Sequence, residues 1–492
     1  MKKRDLTIRR RKTINQSTIN VVPLKFYPYL FDLNSIYSQV DSSTILGRDK
    51  EIERIFNCFL RNRKRNAILL GEHGVGKTAI LQKMVTQVTH GKCPAELKKH
   101  HFIYLDVQNI LANIEEKATA KELKAIMDYI IKYSNFVVVI DQVHLVQASY
   151  ILSYYFSLLI KQSHVCVLGL TTEEEFYDYF EFDAKTRARL NTIIIKEPLP
   201  DKVYPMIKKS IQKLEKLHQV SISKELVQYI ISVSGAFSTE LALPELTVDI
   251  VERSMIYAKR KREKEVSKQS INKNFNFDYE LYNKMSPEDK KIVAYHEAGH
   301  FVVGKLSENI RNYKTTAITI VPGEDFLGIT SFQFEPEKQL SCDINYYIDN
   351  IAVDLAGRVA ETLLAKEHPK RYTSGANSDL QSATNTARAI ITEFGMIEQI
   401  GENMAFLGNY DYSDFSLLSD DNKSQINEET KKLIQMAYKR AENILTNNMP
   451  LLDSIARELL SNEILDEVDL NRICEEVADG ERLYKILMEE DN

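Results

Sequence analysis

Between Gly71 and Thr78 the chain reads GEHGVGKT, a G-x-x-x-x-G-K-T loop set between the apolar run NAILL and the helical pattern AILQKMVTQV. The glycines let successive backbone N–H groups turn inward on phosphate oxygens. A strand, such a loop and a helix, in that order, form one unit of a parallel sheet crossed over by helices. In this arrangement Gly71, Gly74 and Gly76 free the backbone. Lys77 reaches the outer phosphates of a nucleotide, and the Thr78 hydroxyl holds Mg2+.

The surrounding pattern agrees with a parallel sheet. From Ile45 to Leu199 the strand-like runs HFIYLDV, NFVVVID, HVCVLGL and NTIIIKEPL alternate with helical periods. The run FVVVID ends in Asp141, an acid at a strand end where it can orient magnesium. From Pro200 to Arg260 helical periods take over, and a charged stretch then reads as a linker. At 492 residues the chain is too long for one ordinary domain. The expected organisation is a basic arm at 1–40, an α/β subdomain at 41–199, a helical lid at 200–260, a linker at 261–283 and a mostly α-helical domain at 284–492.

Charge and cysteine usage exclude some partners. The net charge of -5 argues against whole-molecule attraction to nucleic acid. The first twelve residues carry seven basic groups against one acid, a net +6, so the arm could touch a partner or an anionic surface. Cys58, Cys93, Cys166, Cys342 and Cys474 are scattered without a C-x-x-C pair. That speaks against a cysteine zinc site or a disulfide framework and points to a reducing, cytoplasmic setting. No apolar run reaches 18 residues, so no membrane span is expected.

A second motif lies in KIVAYHEAGHFVVGKL, Lys291 to Leu306. His296 and His300 are four apart and share one face of a helix. Two imidazoles so placed can bind one Zn2+, and Glu297 beside them can take a proton from an activated water. A catalytic zinc needs a third protein ligand and an open position. The residues alone leave that ligand undecided; Glu308 is the first acid beyond the helix.

Two resemblances add to this reading. The stretches ILGRDKEIERIFNCFLRNRKRNAILLGEHGVGKTAIL, VVVIDQVHLV and VLGLTTEEEFYDYFEFDAKTRARL resemble the first ATPase module of the Clp unfoldases, an AAA+ fold. LPELTVDIVERS resembles its helical lid, so the likeness spans about residues 41–260. It implies ATP as the nucleotide, Thr171 as the sensor residue and Arg189 as the arginine-finger candidate. It also places Gln142 where the family has a water-polarising glutamate. Glutamine keeps the shape but cannot act as a base, so ATP binding is expected and fast hydrolysis is not. The family's aromatic pore loop has no counterpart in LDVQNILANIEEKATAKEL.

MSPEDKKIVAYHEAGHFVVGKL, AITIVPGEDFLGIT, IAVDLAGRVAETLL and TSGANSDLQSATNTARAIITEFGM resemble the peptidase domain of FtsH proteases. That likeness implies Asp379 as the third zinc ligand, Glu297 as the catalytic base, and a cleft-edge strand along the substrate. For Asp379 the sequence suggests the first turn of a helix capped by Asn377 or Ser378. TTAITIV, ended by Pro322 and Gly323, is the expected edge strand. Arg358 and Glu361 are expected to make structural contacts. The two likenesses together imply a soluble, homohexameric, ATP-dependent zinc metalloendopeptidase acting on proteins or peptides. The alternative is a weakly hydrolysing, nucleotide-gated protease or a non-proteolytic remodelling module.

Overall fold

The computed structural model describes residues 22–23, 26, 29–38, 47–112, 117–181, 183–237, 241–275, 277–310, 313–323, 326–334, 341–365, 375–397 and 420–490. The chain divides into two units. One comprises residues 1–212 and 240–248, the other residues 213–239 and 249–492.

The first unit is built on six strands: β1 (Leu30–Asp32), β2 (Asn66–Leu70), β3 (His101–Leu105), β4 (Phe136–Asp141), β5 (Cys166–Thr171) and β6 (Leu190–Ile194). Their order is β1-β3-β4-β5-β2-β6. All pairs are parallel except β1 with β3. Helices cover both faces, so β2 and β5 are buried along their whole length. This is why they read as unbroken apolar runs rather than as alternating ones. Leu70 pairs with Thr171 and Asp141 with Leu170, which sets the carboxyl ends of β2, β4 and β5 side by side. Helix α1 (Lys77–Thr89) leaves from the loop after β2, and helix α2 (Glu173–Phe180) starts just after β5.

One boundary needs correction. Val22, Phe26, Leu30 and Leu33 are buried, and β1 closes the open edge of β3 with Phe31 opposite Tyr104. Val22, Phe26 and Leu30–Leu33 are therefore core and not tail, because β1 completes a sheet edge and the apolar side chains pack into the core. The basic residues 1–21 lie outside the described residues. The stretch LDVQNILANIEEKATAKEL, where the pore loop has no counterpart, contributes to helices at Val107–Ala112 and Lys117–Lys132, and 113–116 lie outside the described residues. Residues 200–260 form the expected helices, Pro200–His218, Lys224–Phe237 and Glu245–Arg260.

In the second unit the charged run expected as a linker is ordered. It folds into helices Lys268–Asn272 and Tyr279–Lys284 and buries Val266, Ile271, Phe275 and Tyr282. Lys268 pairs with Asp469 at 3.0 Å. The charge count hid four apolar anchors spaced through the segment.

The rest is mainly helical. Helix α3 (Pro287–Leu306) opens with a capping box between Ser286 and Asp289, with Pro287 in its first turn. Helices α4 (Ile344–Leu364) and α5 (Asn377–Thr392) follow. A small antiparallel sheet has the order β8-β7-β9, from β7 (Tyr313–Thr319), β8 (Ile329–Phe334) and β9 (Ile464–Asp466). The strand expected at the edge is thus the central one. Its backbone groups are shared with β8 on one side and β9 on the other, so β8 is the edge beside the histidine helix. The pairing partner β9 comes from far along the chain, and no local signal announced it.

Candidate active site

Helix α3 carries both histidines into the interior of the second unit, 8% and 9% exposed. Their Nε2 atoms lie 3.1 Å apart. Asp379 Oδ2 is 3.1 Å from His296 Nε2 and 3.5 Å from His300 Nε2. One ligand atom from each of the three falls within 4.8 Å of the others. Asp379 reaches them from the first turn of α5. The expected side-chain cap is not formed: the helix already begins at Asn377, its N-cap is Ala376, and Asn377 and Ser378 lie inside the first turn. The carboxylate of Asp379 is therefore left to point across to α3.

Small residues allow this convergence. A Cβ on Gly299 would stand 2.7 Å from the Ala356 carbonyl oxygen and 2.8 Å from the Ala360 Cβ, so α3 and α4 touch backbone to backbone there. Gly357 lies directly against the His296 ring. The contact puts the second ring nitrogen of each histidine in reach of α4. His296 Nδ1 is 2.8 Å from Glu361 Oε1, and Arg358 holds the other oxygen of Glu361 at 2.8 Å. His300 Nδ1 is 2.7 Å from the Val353 carbonyl. With Nδ1 donating in both rings, loss of the Nε2 protons would turn both Nε2 lone pairs to the shared point, as a bound metal requires. Burial works against charge on His296, but its hydrogen bonds to Asp379 and Glu361 outweigh it and hold the imidazole up at about 10. Burial likewise pushes Asp379 upward, yet the two histidines hold it well below the usual carboxylate range.

Glu297 stands beside this point, 5% exposed. Burial pushes its carboxyl above the ordinary range. The Thr330 hydroxyl on β8 lies 2.7 Å from its Oε2 and 3.0 Å from its main-chain oxygen. A Cβ on Gly328 would come within 2.9 Å of Glu297 Oε1, so glycine keeps the strand close. His296, Glu297, His300 and Asp379 all line a cavity of about 1320 Å³ that runs along Gly328, Ile329 and Thr330 at the β8 edge. Two imidazole nitrogens and one carboxylate oxygen, backed by outer hydrogen bonds, are a donor set that suits zinc with one position left open.

In the first unit the Gly71–Gly76 stretch is the turn between β2 and α1. Gly74 and Gly76 have φ of 88° and 101°, and a Cβ on Gly74 would meet the Ala242 carbonyl oxygen at 2.9 Å. Lys77 donates to the carbonyls of Gly71 and Glu72, and Thr78 is exposed in the first turn of α1. Burial pushes Lys77 down and Asp141 up, each opposed by the other's charge. Thr171 Oγ1 donates to Glu175 Oε2 at 2.7 Å and lies 2.8 Å from His144 Nδ1. Gln142 follows Asp141 with φ of 52°, and its Oε1 accepts from Gln108 Nε2 at 2.6 Å. Arg189 is exposed just before β6.

Residues 283–473 match the profile of Peptidase family M41. The C-terminal part of this chain is an M41 peptidase domain. Residues 42–147 match the SMAX1 nucleotide binding domain. The N-terminal part is a Clp-like AAA+ region. The chain is 36% identical over 196 residues to ATP-dependent zinc metalloprotease FtsH 1 of Thermoanaerobacter sp., covering 38% of this chain and 31% of that protein. It is 25% identical over 281 residues to chaperone protein ClpB of Aquifex aeolicus, covering 53% of this chain and 28% of that protein. It therefore spans under a third of the length of these curated relatives. Among solved structures it overlaps a closed-state reconstruction of Hsp104 with ATPγS and casein, with a TM-score of 0.48 and 21% identity over 56% of this chain and 48% of that one.

Within the M41 domain, several contributors escaped sequence reading. Thr330 holding Glu297, the Val353 carbonyl holding His300 and Asp354 in the cavity wall have no local signature. Glu361 and Gly357 did carry one: AGRVAE places two small residues and an acid on one helical face, the pattern of a helix pressed against something that needs orienting.

Proposed function

We propose that the chain is an ATP-linked zinc metalloendopeptidase cutting protein or peptide substrates. The observation that carries this is the convergence of His296, His300 and Asp379 beside the buried Glu297, in a cavity bordered by a strand edge. A zinc ion held by the three residues would polarise the scissile carbonyl and lower the pKa of a water beside it. Glu297 accepts the proton of the attacking water and returns it to the leaving amine. Its burial keeps its proton affinity raised for that exchange, and Thr330 fixes its carboxylate. The free side of β8 can pair with the substrate backbone, which supports loose sequence selection. In the other unit Gly71, Gly74, Gly76, Lys77 and Thr78 cradle ATP and magnesium, with Asp141, Gln142 and Thr171 facing the phosphates. Homohexamer assembly, with Arg189 acting across a subunit boundary, comes from the likeness to the Clp and FtsH families, and a cytoplasmic location from the likeness to the Clp proteins and the scattered, unpaired cysteines. Among the described residues no helix is long and apolar enough to cross a membrane.

A second reading is favoured by Gln142. Its carboxamide, bonded to Gln108, offers no base for ATP hydrolysis. Bound ATP would then gate the peptidase rather than drive threading.

Degradation of an unstructured and a folded protein, with and without ATP, separates these readings. Zinc near one per chain and cleavage lost in Glu297→Gln are expected. Cleavage surviving in that variant would overturn Glu297 as the base, and absence of zinc would overturn the peptidase reading.

A further inference from the structure

Beyond the metal-binding point the cavity continues along α4 to Asp354, a half-buried acid next in sequence to the residue whose carbonyl holds His300. Tyr313 and Phe332, with ring centroids 5.7 Å apart, and Tyr346 line the same cavity. Ser382 hydrogen-bonds the Asp354 carboxylate, and His300, Asp379 and Tyr313 are the other titratable groups that feel it. Among the described residues no lysine or arginine pairs with it. We infer that this end of the cavity is a subsite for a basic side chain, Lys or Arg, of the substrate next to the bond that is cut.

The inference rests on the peptidase reading and deepens it. Of the carboxylates that line the cavity, Asp379 is committed to the two histidines, Glu361 to His296 and Arg358, Glu297 to Thr330 and Asp289 to the cap of α3, so Asp354 is the one left for an incoming group. A half-buried carboxylate that, among the described residues, has a hydroxyl and no Lys or Arg beside it gains from a cation. Aromatic faces suit the alkyl stem of Lys or Arg and its charge. The backbone of α4 is fixed at Val353 by His300, so the carboxylate has a set position relative to the reacting centre.

The test uses the zinc-loaded full chain and peptides differing at one position beside the cut: Arg, Lys, Leu or Glu. Cut sites are read by mass spectrometry, and peptide binding is read by fluorescence anisotropy on the Glu297→Gln protein. Arg should exceed Leu by about tenfold or more in both kcat/KM and binding. Asp354→Asn and Asp354→Ser should erase most of that ratio, Asp354→Glu should keep it, and Asp354→Lys should shift preference to Glu. Equal handling of Arg and Leu, or a preference that survives Asp354→Asn, overturns the subsite. Arg-selective binding without any cleavage upholds the subsite and overturns the peptidase reading.

Discussion

Glu361 Oε1 accepts a hydrogen bond from His296 Nδ1 at 2.8 Å while Arg358 holds its other oxygen, so the orientation of the first histidine is set from α4 and not from its own helix. Replacing Glu361 by Gln leaves the shape but weakens the acceptor. Zinc affinity should fall roughly 10- to 100-fold, measured by competition against a chelator. Unchanged affinity would show that Glu361 only ties α3 to α4.

Gly357 offers the His296 ring a surface without a Cβ. Gly357→Ala should displace the ring, lower zinc content and cost about 1–3 kcal/mol of stability through overpacking. Metal analysis and denaturant unfolding would read the two effects.

Glu297→Gln should keep zinc near one per chain and lower peptide cleavage by roughly 10²- to 10⁴-fold. Loss of zinc in this variant would assign Glu297 to metal binding instead.

Gln142→Glu restores a carboxylate beside Asp141. ATP turnover should rise about tenfold or more, followed by phosphate release. No rise would mean that the arrangement around Thr171, His144 and Glu175, and not residue 142, limits hydrolysis.

Glu175 supplies a pH signature in the first unit. Burial pushes its carboxyl up, but the Thr172 amide and the Thr171 hydroxyl outweigh that and lower it below its ordinary value of 4.5. A lowered folded value means stability that is present above 4.5 and lost as pH falls through the folded value. Glu175→Gln should therefore cost about 1 kcal/mol at neutral pH. The gap to wild type should close in acid, as followed by unfolding at several pH values. A gap that widens in acid would contradict the sign.

The sequence by itself determined the local chemistry: a phosphate loop between a strand and a helix, an acid at the end of β4, a carboxamide after it, and two histidines on one helical face. Such features depend on residues within one turn or one strand, whose geometry is fixed by bond angles and short-range hydrogen bonds. Resemblance to known families added Asp379. Tertiary structure decided what depends on distant segments. It made β7 central by bringing β9 from the far end of the domain, and it drew Leu30–Asp32 into the sheet and buried Val22, Phe26 and Leu33. It also packed the charged run 261–283 through four buried apolar side chains, and it put Thr330, Glu361 and Asp354 around the cavity of His296, His300 and Asp379. Those placements follow from long-range burial and helix contacts over small residues, which no short window of sequence contains.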